Sequence, residues 1–135
     1  MKKILLLLAI GFTSIAANAQ KVAESAVAPG IKTAFAKLHP GVSVTSWTNE
    51  PINNVRAEFV EAGVPTTVLM GPNNNLLETS VEIPSTSLPK TAADFCSGKT
   101  ITKSYKVTTY TGVVMYKVKA DKDYMFDKDG KYAAR

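Results

Sequence analysis

The sequence predicts an α+β fold: a tandem repeat of a helix followed by three or four antiparallel strands, with the helices packed on one face of an antiparallel sheet. Three observations predict it. An apolar stripe of helical period, Val27, Ile31, Ala34, Phe35 and Leu38, opens the first half. Runs of period two follow it. The same order of patterns then restarts about 60 residues further on.

The elements follow in order. In "AVAPGIKTAFAKLHPG" the apolar stripe marks one helical face, and Lys32 and Lys37 fall off it. Proline is tolerated only in the first turn, so Pro29 places the helix start near Val27 or Ala28. His39-Pro40-Gly41 ends it. In "VSVTSWTN" Val42, Val44 and Ser46 alternate with polar residues, and Trp47 breaks the phase. "NVRAEFV" puts Val55, Ala57 and Phe59 on one side against Arg56 and Glu58. "TTVLM" is short and apolar, and "LLETSVEI" alternates Leu77, Thr79, Val81 and Ile83 against Glu78, Ser80 and Glu82. The connections "EPIN", "EAGVP" and "GPNNN" have turn composition.

"PSTSLPKTAADFCSG" restarts the order. Ser87 is placed to cap a helix with Pro89 in its first turn; Leu88, Ala92 and Phe95 share a face, and Gly98 ends it. The strands "TITKSYKVTTY", "GVVMYKVKA" and "DYMF" follow, then a short run from Lys131. Pro29 matches Pro89 and Phe35 matches Phe95 at an offset of 60; Val55, Ala57 and Phe59 match Val114, Tyr116 and Val118 at 59; "VLMGPNNNLL" matches "YMFDKDGKYA" at 56. The offset shrinks as the loops shorten. Units of about 25–84 and 85–135 are too small to stand alone, so they are expected to share one sheet or a tight interface.

"MFDKDGK" has two readings, the opening of a calcium loop or a hairpin tip. A calcium loop of the helix–loop–helix type runs on to a bidentate glutamate, but no acid follows Gly130. The equivalent stretch of the first unit, "MGPNNN", carries no charge. A tight turn survives that exchange and a carboxylate site does not, because Gly, Asn and Asp all tolerate positive φ. Asp129-Gly130 and Asn73-Asn74 are therefore read as one turn in two copies.

The N-terminus "MKKILLLLAIGFTSIAANAQ" has a basic start, a short apolar run and the small-x-small site Ala17-Asn18-Ala19. Residues 1–19 are expected to be a signal peptide cleaved near Ala19, and residues 20–135 a single periplasmic or secreted domain with no integral membrane segment. Loss of Lys2 and Lys3 leaves 14 basic against 11 acidic residues, a net charge of +3. Residues 20–86 carry 4 basic and 6 acidic side chains and residues 87–135 carry 10 and 5. Export and the lack of a recognition motif argue against nucleic acid.

Little points to chemistry. His39 is the single histidine and Cys96 the single cysteine, so no internal disulfide and no zinc spacing exist, and no cofactor is implied. Cys96 reads as a buried small hydrophobe or as an exposed thiol able to pair between chains. A catalytic reading would need a cleft where His39 meets a carboxylate or Cys96, and a His39–Cys96 pair is formally possible. Trp47, Tyr105, Tyr110 and Tyr116 form a candidate partner-binding surface, against the alternative that some of them cover helix–sheet contacts.

The stretch "PGIKTAFAKLHPGVSVTSW", the hairpins "MGPNNNLLE" and "FDKDGKY" and the junction "EIPSTSLPKTAADF" resemble the PepSY-like proteins grouped with the β-lactamase-inhibitor-like fold, common as exported proteins of Bacteroidetes-type bacteria. The resemblance covers about residues 25–135. It implies a tandem α-plus-antiparallel-β repeat and no enzymatic activity. The founding inhibitors bind β-lactamases through a concave sheet face and loops. This chain has one cysteine where they use disulfides, is shorter, and has no alignable inhibitory loop, so β-lactamase inhibition is not carried over. Three functions are weighed: a non-enzymatic periplasmic binding or inhibitor-like protein with a protein partner, a small-ligand or ion-binding module of the cell envelope, and a hydrolase.

Overall fold

The computed structural model describes residues 20–133. One antiparallel sheet of eight strands runs through them in the order of the sequence. The strands are β1 (Gln20–Val22), β2 (Val44–Glu50), β3 (Asn54–Glu61), β4 (Val64–Met70), β5 (Leu76–Ile83), β6 (Lys103–Thr109), β7 (Val114–Lys119) and β8 (Asp123–Asp127). Helix α1 (Pro29–Leu38) lies between β1 and β2, and α2 (Lys90–Phe95) between β5 and β6. The α+β class with helices on an antiparallel sheet is as predicted.

Cross-strand register sorts the side chains into two faces. Trp47 pairs with Ala57, Ala57 with Val68, Ser104 with Val118, and Val118 with Tyr124. These residues share a face, because directly opposed residues point the same way. That face carries both apolar clusters. Val27, Ile31 and Phe35 pack with Trp47, Val55, Ala57, Phe59, Val68 and Met70. Leu88, Ala92 and Cys96 pack with Val118, Tyr124 and Phe126. Both helices therefore cover the same side of the sheet.

Several local expectations are corrected. The alternation does break ahead of Trp47, and the break lies at Thr45. The register shifts between Val44 and Ser46, so Thr45 is the extra residue of a β-bulge, which turns Val44 and Trp47 to the same side. Ser87 does not cap α2: it ends a short 3-10 turn, Ser85–Ser87, and Pro89 occupies the cap position without a side-chain hydrogen bond. The buried stripe of α2 is Leu88, Ala92 and Cys96, and Phe95 is 43 % exposed where Phe35 is 4 % exposed. Phe95 stacks on Tyr132, with ring centroids 4.9 Å apart, and meets Phe126 edge-on. Strand β1 was not foreseen; its Val22 pairs with Trp47 and packs against the first cluster.

The two turns compared in the sequence close in the same way. Gly71 donates its N–H to Asn75 O, and Asn74 donates to Gly71 O. Asp127 donates to Lys131 O, and Gly130 donates to Asp127 O. Asn74 and Gly130 both have positive φ, 63° and 86°. The Asp127 carboxylate accepts the N–H groups of Asp129 and Lys131 at 2.9 Å each, an arrangement in which the side chain completes the turn.

Candidate functional site

The face opposite the helices carries mostly polar side chains beside the apolar Leu69, Val107 and Met115. Its strands bring Arg56 and Glu58 (β3), Thr67 (β4), Ser80 and Glu82 (β5), Lys103 and Tyr105 (β6), and Lys117 and Lys119 (β7) to one side. Glu58 is opposite Thr67, Thr67 opposite Ser80, and Tyr105 lies between Glu82 and Lys117. In a flat sheet β3 and β7 would stand about 19 Å apart, four steps of about 4.8 Å. Here Arg56, Glu58, Lys117 and Lys119 line one hollow of about 80 Å³ with Thr67, Ser80 and Tyr105. The sheet is therefore curled and this face is concave. Val107, on the same face with no helix above it, is only 2 % exposed, consistent with neighbours closing over it. A larger hollow of about 520 Å³ adjoins, sharing Glu58, Thr67, Tyr105 and Lys119 and adding Val60, Pro65 and Lys103.

Ion pairs order the face. Arg56 Nε donates to Glu50 Oε1 at 2.7 Å, Lys103 lies 3.5 Å from Glu82, and Lys117 lies 3.4 Å from Asp123. Glu58 and Lys119 make no ion pair among the described residues, although Lys119 stands directly opposite Lys103. Like charges in that position repel. Burial pushes the Tyr105 hydroxyl above its ordinary value; Lys103 pulls it down, while Glu82, Glu58 and Asp123 push it further up. The group therefore stays protonated at neutral pH and remains a hydrogen-bond donor.

The four aromatic residues singled out in the sequence do not form one surface. Trp47 is 5 % exposed in the core beneath α1, edge-on to Phe35 at 5.8 Å, with its indole Nε1 buried and without a hydrogen-bond partner among the described residues. Tyr116 pairs with Lys106 and Phe126 on the helix side and is partly buried against the second cluster. Tyr110 is 72 % exposed at the turn after β6. Tyr105 alone lies in the concave hollows. The polar residues around it, Arg56, Thr67, Ser80, Lys117 and Lys119, were missed. Their signal was their position as the outward half of each alternating strand.

His39 and Cys96 are not brought together. His39 Nδ1 lies 3.1 and 3.2 Å from the two carboxylate oxygens of Glu61, and its ring packs 4.7 Å from Phe59 and 5.3 Å from Phe35. The contact ties the end of α1 to the end of β3. Cys96 is 2 % exposed in the cluster beneath α2, and burial pushes its thiol up, against the pull of Lys99. Neither residue lines the concave hollows.

The architecture can be placed among known structures. A protein of Bacteroides eggerthii DSM 20697, described as a candidate periplasmic protein, aligns with a TM-score of 0.71 at 15 % identity, over 80 % of this chain and 86 % of its own. A DUF2874 family protein of Bacteroides uniformis ATCC 8492 aligns with a TM-score of 0.70 at 14 % identity, over 80 % and 87 %. A BLIP-like protein of Bacteroides fragilis NCTC 9343 aligns with a TM-score of 0.61 at 17 % identity, over 82 % and 88 %. The chain shares the fold of these DUF2874 and BLIP-like proteins. The resemblance to the β-lactamase-inhibitor-like group read from the sequence thus holds at the level of fold. No protein-family model matches the chain, and no curated protein matches its sequence.

Proposed function

We propose that the protein is a non-enzymatic periplasmic binding protein that docks a protein partner on the concave face of its sheet. The observation that carries the reading is the curled polar face, where five adjacent strands turn charged and hydroxyl side chains toward joined hollows. A surface serving only solubility has no need to curl its donors onto one point. In the same reading, residues 1–19 are a signal peptide removed near Ala19. The remainder is built from two helix–strand units, about 25–84 and 85–135, on one sheet. Support for two units comes from the turns at 71–75 and 127–131, which use the same pair of backbone hydrogen bonds at an offset of 56. It also comes from the separate apolar cluster beneath each helix.

The test is affinity capture from native periplasmic extract followed by mass spectrometry, run in parallel with the native chain and with Lys119→Glu. Expected is a protein retained by the native chain and lost from the variant. Retention of the same proteins by both would refute docking on the concave face. A small-ligand module of the envelope predicts instead a rise in melting temperature on adding low-molecular-weight periplasmic extract, with no protein retained.

A further inference from the structure

The hollow of about 80 Å³ at the centre of the concave face has an unusual lining. Three cations, Arg56, Lys117 and Lys119, and three hydroxyls, those of Thr67, Ser80 and Tyr105, converge on it, with Glu58 as the one carboxylate. The formal charge of these side chains is three positive against one negative, a net of +2. Most of this donor capacity is unused within the chain. The Thr67, Ser80 and Tyr105 hydroxyls make no hydrogen bond among the described residues, and Lys119 has no anionic partner. Arg56 is held by Glu50 through Nε alone, which leaves its terminal nitrogens free. A guanidinium so oriented presents an edge that matches a carboxylate.

We infer that this hollow is the anchor point for one carboxylate of the protein partner, an Asp or Glu side chain on an extended segment. The inference rests on the docking reading of the concave face and names the chemistry recognised there. The size of the hollow suits a single small anionic group. The net charge of +2 favours an anion there, and Glu58 on the wall reduces that attraction without reversing it. The adjoining hollow of about 520 Å³ offers Val60 and Pro65 as an apolar wall for the neighbouring residue of the same segment. A carboxylate beside Lys119 would also relieve the repulsion between Lys119 and Lys103, which stand opposite each other without a shared anion.

The test uses the chain and three probes in a nitrogen-15 NMR titration: the blocked pentapeptide Gly-Leu-Glu-Leu-Gly, its Gln counterpart, and acetate. Expected are saturable shifts at Thr67, Ser80 and Tyr105 with the Glu peptide. The Gln peptide should bind about tenfold or more weakly, the usual scale for losing a charge-assisted contact. Lys119→Glu should abolish the response while leaving the rest of the spectrum in place, since Lys119 is exposed and unpaired. Equal binding of the Glu and Gln peptides at these residues would overturn the carboxylate anchor while leaving concave-face docking standing. Acetate binding as tightly as the peptide would make the hollow a site for free small carboxylates and overturn the partner-segment assignment. Absence of shifts with the Glu peptide up to about 10 mM, weaker than any useful single-site contact, would overturn the anchor outright.

Discussion

Gly130 is where the second turn meets the second helix, and replacing it by alanine tests that junction. Its φ of +86° would cost an L-residue about 1–2 kcal/mol. A methyl group there would also stand 2.8 Å from the backbone nitrogen of Ala92 and 2.8 Å from Cβ of Pro89, atoms that cannot swing away. Overpacking of this kind typically costs a further 1–3 kcal/mol or so. Gly130→Ala should therefore destabilise by about 2–5 kcal/mol, out of a total of about 5–15 for a domain of this size. Gly112→Ala is the matched control. Its φ is +87° and nothing lies within 4 Å of the added methyl, so only the backbone cost of about 1–2 kcal/mol applies. The first unit offers a contrast: a methyl on Gly30 meets only the amide head of Asn74, a side chain able to move, inside a helix that favours alanine. Gly30→Ala should be close to neutral. Urea unfolding of the three variants, with unchanged m-values, gives the differences directly. If Gly130→Ala and Gly112→Ala agree within about 0.5 kcal/mol, the turn is not pressed against α2 and the reasoning fails.

Phe35→Ala should cost about 3–5 kcal/mol, because Phe35 is buried edge-on to Trp47 and Phe59, while Phe95→Ala should cost less than half as much; denaturant midpoints check both. The Asp127 carboxyl is held below its ordinary value first by the N–H of Lys131, so its contribution is present above pH 3.8 and is lost as pH falls through the lowered value. The stability gap between the native chain and Asp127→Ala, measured from pH 6 down to pH 2, should therefore narrow on the acid side; a gap constant with pH refutes the bond to the ionised form. Cys96 should resist iodoacetamide in the native state and react fully in about 6 M guanidinium, since burial both hides the thiol and raises it. Rapid native labelling, or a reducible covalent dimer, would contradict its place in the core.

Much of the fold was legible because its signals are local. Pro29 at the head of α1 and the alternation in β3 each follow from the geometry of a few adjacent residues. The misreadings arose where a distant contact decides the outcome. Phe95 has the spacing of a core residue, but α2 is only six residues long and turns Cys96 inward in its place. Tyr132 then covers part of the Phe95 ring from the far end of the chain. Strand β1 has three residues and no periodicity to read; it exists because β2 offers it an edge.

The candidate site was hidden for a different reason, which is parity. Which face a strand residue occupies depends on counting by twos, and one extra residue reverses the count. The bulge at Thr45 places Trp47 in the core, whereas an unbroken count from Val44 would leave it outward. Tyr105 and Tyr116 look alike in sequence, yet Tyr105 pairs with Lys117, so Tyr116 must face the other way. Once register is known, most residues left facing away from the helices are hydroxyls and charges, with Leu69, Val107 and Met115 among them, rather than a band of aromatics. A concave face of that composition is suited to recognition by hydrogen bonds and ion pairs, with geometry supplied by the curl of the sheet. Specificity on such a face should depend on where a partner places one charge more than on how much apolar area it buries.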